Sequence, residues 1–172
     1  PVAGLGSRFL PATKANPKEM MPVVDKPLIQ YAVEEAYKAG ITHMVFITSY
    51  SKRAIEDHFD SNFELEESLK QRQKVDLLKL VQAIAPKDIR FTYIRQNQAL
   101  GLGHAISCAE HIVRHEPFAV LLADDLLDSK QGLCLNSMIE IYEKEQAPVV
   151  AVQRIAKKDT SKFGVAAVER VD

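Results

Sequence analysis

Two glycines and three cations sit close together at the start of the chain. In PVAGLGSRFLPATKANPKEMMP, Gly4 and Gly6 are followed by Arg8, Lys14 and Lys18. Glycine lets backbone N–H groups close on an anion with no Cβ in the way, and a guanidinium beside an ammonium matches a polyphosphate. The spacing begins like a dinucleotide-binding fingerprint, but that pattern requires a third glycine where Phe9 stands. No Gly-Lys-Ser/Thr follows, so the segment is not a Walker A loop. Two glycines alone would fit a plain strand-to-helix turn. Arg8 and Lys18 are what favour an anion site.

Two further segments have chemistry to offer. In RQNQALGLGHA (95–105), Gln96 carries an amide with both donor and acceptor, able to read the edge of a base, and Gly101 and Gly103 would let a flat ring lie on the backbone. In LLADDLLD, the adjacent Asp124 and Asp125 follow an apolar run. At a strand end successive side chains point to opposite faces, so one carboxylate could hold a hard divalent cation such as Mg²⁺ while the other faces substrate. An Asx turn or a helix cap is the plainer account of either aspartate. His111 and His115 are four apart with no acid between them to recommend a zinc helix, and read as solvent-facing. His104 reads as a hydrogen-bonding group at a helix start.

These segments need a framework, and hydrophobic periodicity supplies one. Ile29, Ala32, Val33 and Ala36 recur at helical spacing, with Asp25 as a candidate N-cap, Pro27 in the first turn and Gly40 as the stop. HMVFITS (43–49) reads as a buried strand, 51–59 as a short helix, and 62–84 as one helix or two broken near 71–74. Leu77, Leu80, Val81 and Ile84 form its expected packing stripe. A strand over 89–95, a helix from His104 to His115, a buried strand over 118–123, a helix from Leu133 to Glu145, and strands over 149–154 and 163–169 follow. Strands alternating with helices predict an α/β domain, with a mostly parallel sheet covered by helices on both faces. In such sheets ligands lie beyond the carboxyl ends of the strands, where all three segments fall. A dinucleotide-binding oxidoreductase would carry an acid at the end of the second strand, but Thr48-Ser49-Tyr50 stands there.

Composition narrows the partners. The 172 residues are 47% hydrophobic and 26% charged, with a net charge of −1. That balance gives no global basic field for nucleic acid or a membrane surface. Residues 1–26 nevertheless carry a net +2, leaving −3 for the rest, so a small basic patch faces a mildly acidic body. Cys108 and Cys134 lack metal-ligand spacing and fit a reducing, cytoplasmic compartment. No apolar run is long enough to cross a bilayer. Only Pro1-Val2-Ala3 precede the glycines, where a strand of five or six residues is usual, and the chain closes on a strand-like run. It reads as a portion of a longer polypeptide.

Taken together, VAGLGSRFLPATKANPKEMMPVVDKPLIQYAVEEA, RQNQALGLGHA, LLADDLLD and SKRAIEDHFDSNFELEESL resemble the sugar-phosphate nucleotidyltransferase family, in its uridylyl-transferring branch. The resemblance implies a single Rossmann-like nucleotidyltransferase domain over 1–172, containing the nucleotide-binding portion and lacking a later sugar-phosphate portion. It implies transfer of uridylyl from UTP to glucose 1-phosphate, giving UDP-glucose and pyrophosphate, with Mg²⁺ as cofactor and a homo-oligomeric assembly. On that resemblance Ala3, Gly4 and Gly6 contact the nucleotide, Arg8 holds the departing pyrophosphate, and Lys18 sits on the reacting phosphates. Glu19 contacts the base or orients the loop, Gln96 and Gly101 recognise uracil, Asp124 binds Mg²⁺ and Asp125 lies near the sugar phosphate. Ser7, Asn16 and Ala123 depart from common family choices, but none of them removes a charge. Thymidylyl, adenylyl or guanylyl transfer, or a non-catalytic nucleotide-binding module, are the alternatives.

Overall fold

The computed structural model describes residues 1–127 and 134–169, in two compact units, Pro1–Leu133 and Cys134–Asp172. The first unit is organised around two parallel strands, β3 (His43–Thr48) and β4 (Arg90–Arg95), paired residue for residue from His43↔Arg90 to Thr48↔Arg95. Both segments are rich in β-branched and aromatic residues, the composition that packs well on a pleated surface. Before them, a small antiparallel hairpin pairs β1 (Pro22–Val23) with β2 (Lys26–Pro27) and leads into α1 (Leu28–Lys38). The hairpin takes Asp25 into its turn, so the expected N-cap is not made. Pro27 stands at that position instead, its extended backbone feeding the helix. Ile29, Val33 and Ala36 are buried as the periodicity requires, joined by Gln30, while Ala32 is only half-buried.

Alternation along β3 sends its side chains to two covered faces. On one, Phe46 stacks against Phe59 of α2 (Arg53–Phe59) at 5.5 Å and against Tyr93 at 5.4 Å. Ile55 of α2 is fully buried. The burial of Tyr93 beside Glu56 and Asp60 pushes its phenol up to about 12. On the other face, Ile47 packs with Ala105 and Ala109, flanked by Val45, Ile94, Cys108 and Val113. Helices therefore cover both faces of this strand pair. A polar chain ties α1 to α2: His58 Nε2 meets the Gln30 side-chain Oε1 at 3.0 Å, and the Gln30 side-chain NH₂ and Lys26 both donate to Glu34, at 2.9 and 2.7 Å.

Residues 62–84 form two helices, α3 (Phe63–Gln71) and α4 (Val75–Ala83), broken where Gln73 adopts a left-handed φ of 54°. Asn62 caps α3 by accepting from the Leu65 N–H at 3.0 Å. The expected stripe on α4 is covered only in part: Val81 and Ile84 are half-buried, whereas Leu77 and Leu80 are 51% and 62% exposed. The helix expected over 104–115 is divided into α5 (Leu102–Ser107) and α6 (Glu110–Val113). Within α5 the Ser107 hydroxyl donates to the Gly103 carbonyl, a side-chain bond that competes with the helical ladder.

Three predicted strands are not formed among the described residues. Segments 118–123, 149–154 and 163–169 make no ladder, and Phe118, Val150, Val152, Val165 and Val168 are exposed. An apolar run becomes a buried strand only when neighbouring strands satisfy its backbone, and no described segment does so here. The second unit contains α7 (Cys134–Glu145) and a 3-10 turn over Lys157–Lys162. Leu133, the expected start of its helix, lies outside the described residues.

The contrast between core and surface is measurable by chemical denaturation. Ile55→Ala should destabilise the protein by about 2–5 kcal/mol through cavity formation. Leu80→Ala should stay within about 0.5 kcal/mol, as an exposed site does. A comparable loss at Leu80 would show that its stripe is covered.

Candidate active site

The site is assembled at the carboxyl end of β3. The Val2 N–H donates to the Ile47 carbonyl at 2.8 Å, and the Gln96 N–H to the Thr48 carbonyl at 2.8 Å. Adjacent carbonyls of a strand point to opposite edges, so the glycine loop and the loop after β4 leave β3 from its two sides. Val2 and Ala3 are buried by this anchoring. No strand forms there, since the Val2 contact is a single bond rather than a ladder.

Within the loop, Gly6 is required twice over. Its φ is 67°, and a Cβ there would lie 3.3 Å from Thr13 and from Lys18 Cβ. The Thr13 hydroxyl donates to the Gly6 carbonyl at 2.7 Å, closing the loop on itself. Gly4 is exposed, and a Cβ there would meet Lys18 Cε at an ordinary 3.8 Å. Both glycines therefore lie alongside the Lys18 side chain. Arg8 is exposed in the 3-10 turn Ser7–Phe9, and Lys14 is exposed in the next turn.

Lys18 donates to Asp124 Oδ2 at 2.7 Å, joining segments 106 residues apart. The Lys18 side chain is 20% exposed and that of Asp124 45%, so the pair faces solvent and a ligand could displace it. Partial burial pushes the Asp124 carboxyl up, but the Lys18 hydrogen bond and charge, its own backbone N–H and the Arg8 charge outweigh it. The net position is below the ordinary carboxylate value. Asp124 is thus held ionised beside two cations. Asp125 is exposed, and its N–H closes a turn onto the Leu122 carbonyl at 3.1 Å.

Glu19, next to Lys18, points inward. It is 1% exposed and accepts from Lys52 Nζ at 2.8 Å, with Lys52 itself 2% exposed. Lys52 was not among the residues singled out from the sequence. In SKRAIEDHF it looks like a solvated lysine ahead of a helix, and the acid within KEMMP was the one hint of a buried partner.

Gln96 and Gly101 belong to a second cluster. The Gln96 amide nitrogen donates to the Gly101 carbonyl at 3.2 Å and lies 2.9 Å from His104 Nδ1, which accepts. Gly101 has a φ of 96°, a conformation that suits glycine. Arg95, Asn97, Gln98, His104 and Cys108 line a cleft of about 290 Å³ beside it. His104 takes the hydrogen-bonding role expected of it at the start of a helix, and His111 and His115 are exposed. Among the described residues no three His, Cys, Asp or Glu side chains converge as a metal-ligand set. Asp124 and Asp125 carry hard oxygen donors at adjacent positions.

A glycine loop, two cations and an ionised aspartate thus meet beside a parallel strand pair, an arrangement whose chemistry suits an anion. Residues 2–172 match the Nucleotidyl transferase family, and the chain belongs to it. It is 52% identical over 165 residues to the UTP–glucose-1-phosphate uridylyltransferase YngB of Bacillus subtilis, covering 96% of this chain and 55% of that relative. The structure resembles the UTP-bound UGPase from Acinetobacter baumannii, with a TM-score of 0.82 and 49% identity over 86% of this chain and 52% of that one. It also resembles a UDP-glucose pyrophosphorylase complexed with UDP-glucose, with a TM-score of 0.81 and 46% identity over 95% of this chain and 59% of that one. The fold is the α/β nucleotidyltransferase fold of these neighbours. The chain spans about half the length of the curated relatives it matches.

The Lys18–Asp124 pair has a titration signature. The folded carboxyl is depressed, so its contribution to stability is complete above the unfolded value. That contribution is lost as pH falls through the folded one. Solvent exposure limits it to about 0–1 kcal/mol. In metal-free buffer, a ¹³C NMR titration should place Asp124 below an ordinary aspartate, and Lys18→Met should raise it. No response to Lys18→Met would remove the pair from the account.

Proposed function

We propose that the protein transfers a uridylyl group from UTP to glucose 1-phosphate, yielding UDP-glucose and pyrophosphate. The supporting observation is the Lys18–Asp124 juxtaposition beside Gly4, Gly6 and Arg8, in a fold shared with proteins bearing that activity's name. A phosphate oxygen of glucose 1-phosphate attacks the α-phosphorus of UTP, the new O–P bond forms, and the bond to the β-phosphate bridge breaks as pyrophosphate leaves. Such a reaction needs no protein nucleophile, because its barrier yields to in-line positioning and charge neutralisation.

The chain's own residues divide that work. Ala3, Gly4 and Gly6 bring backbone to the nucleotide, Arg8 receives the departing pyrophosphate, and Lys18 sits on the reacting phosphates. Gln96 and Gly101 face the uracil, and Asp125 lies toward the sugar phosphate. Glu19, buried against Lys52, orients the loop rather than touching the base. Asp124 fits Mg²⁺, which takes one or two carboxylates and leaves its other positions to phosphate oxygens and water. When bound, the cation would neutralise phosphate charge.

The same reading extends to the wider architecture. Residues 1–172 would supply the nucleotide-holding portion of a single nucleotidyltransferase domain. The β3–β4 pair would be the kernel of a mostly parallel, Rossmann-like sheet, which the exposed apolar runs at 118–123, 149–154 and 163–169 would extend. Self-association would cover further apolar surface. Among the described residues no helix is long and apolar enough to cross a membrane. Free Cys108 and Cys134 suit a reducing cytoplasm.

The test is pyrophosphate release by the intact protein given UTP, glucose 1-phosphate and Mg²⁺. Lys18→Ala and Arg8→Ala should each lower kcat on the order of 100- to 1000-fold. Asp124→Asn should abolish metal-dependent turnover, since a neutral amide is a poor Mg²⁺ ligand. Wild-type turnover with any one of these variants would take that residue out of the proposed site.

A further inference from the structure

We propose that Lys52 is a positioning residue for this site: by holding the buried Glu19 carboxylate, it fixes the turn that aims Lys18. The proposal rests on the uridylyl-transfer reading for its kinetic consequence, but its geometry stands apart from it. Lys52 Nζ lies 2.8 Å from Glu19 Oε2, and the two side chains are 3% and 2% exposed. They are 33 residues apart in sequence, so the contact joins two segments that local structure does not.

The two ends of the pair differ in how firmly they are held. Lys52 follows β3 and precedes α2. Its N–H donates to the Ser49 carbonyl at 3.1 Å, and its own carbonyl accepts from the Ile55 N–H at 3.0 Å. Thr48 and Ile55, close to it in sequence, are 1% and 0% exposed. Its ammonium is therefore delivered by the rigid strand-to-helix connection. Glu19 belongs instead to a three-residue 3-10 turn, Lys18–Met20, the last of three such short turns between the glycines and the β1–β2 hairpin. That turn begins after Pro17, and Lys18 is its first residue. A fixed Glu19 side chain sets the turn's rotation about its own axis, which decides that Lys18 faces Asp124 and the glycines rather than solvent.

Energetics argue that position, rather than stability, is what the pair provides. Two charges taken out of water lose hydration that their mutual attraction only roughly restores, and an apolar pair of similar volume is often as stable or more so. A stability role would be filled equally well by leucine and methionine. A directional role would not, because apolar contacts are non-directional while an ammonium–carboxylate bond has a preferred geometry.

This difference makes the test. In the intact protein, Glu19→Leu combined with Lys52→Met removes both charges at near-constant volume. The unfolding midpoint should match or exceed the wild type's, while kcat falls by about 100-fold with the UTP KM little changed. That is the loss expected of a misplacement near 1 Å at the reacting centre. Lys52→Arg, which keeps a cation able to reach the carboxylate, should recover most of the turnover lost in Lys52→Met. Full turnover by the double variant would overturn the proposal, as would a collapsed midpoint, since the pair would then be structural alone. If the wild type transfers no uridylyl group, the functional reading fails and the crystal structure of the double variant decides. Lys18 displaced from Asp124 upholds the positioning role, and Lys18 still bonded to Asp124 overturns it.

Discussion

Two neighbouring carbonyls at the end of β3 hold the two loops of the candidate site in place. Ile47 accepts from Val2 on one edge, and Thr48 accepts from Gln96 on the other. A strand's carbonyls alternate in direction, so consecutive residues at one strand end can anchor two chain segments on opposite sides. Here those segments are the glycine loop and the Gln96 loop. The anchoring depends in turn on the packing of β3 itself. Phe46 is stacked on one face and Ile47 buried on the other, so the strand end cannot shift without disturbing both layers.

On this support the site carries two ion pairs of opposite character. Glu19–Lys52 is sealed from water and would be costly to break, since either charge left alone would be buried unpaired. Lys18–Asp124 is partly solvent-exposed, and on the proposed function phosphate would replace it at Lys18 and a cation at Asp124. Adjacent residues in one short turn thus serve a fixed and an exchangeable contact. On the proposed function, a polyanion arriving at the loop would meet an ammonium already oriented, leaving less ordering to be done at the moment of binding.

Much of this was legible in the sequence, to the extent that it was local. Helix α1, strands β3 and β4, helix α2 and the break between α3 and α4 follow from apolar spacing and turn residues, which act within a few positions. The Asp25 cap was misplaced because a two-residue hairpin turn claims that residue, a pairing that spacing along a helix does not reveal. The segments 118–123, 149–154 and 163–169 carry strand composition, yet a strand is completed by neighbours remote in sequence. Gly6 was readable as a glycine-requiring position, but its reason, the approach of Thr13 and Lys18, is tertiary. Lys52 left no signal of its own, because a buried lysine and a solvated one are the same letter until the carboxylate 33 residues away is placed beside it.

On the proposed function, nucleotide phosphates bind where Lys18 meets Asp124. A crystal structure of the intact protein with UTP and Mg²⁺ tests it most directly. Binding there places Lys18 Nζ within hydrogen-bond reach of a phosphate oxygen, its bond to Asp124 released, and the phosphates over Gly4 and Gly6. Nucleotide bound elsewhere, with Lys18 still donating to Asp124, would contradict it.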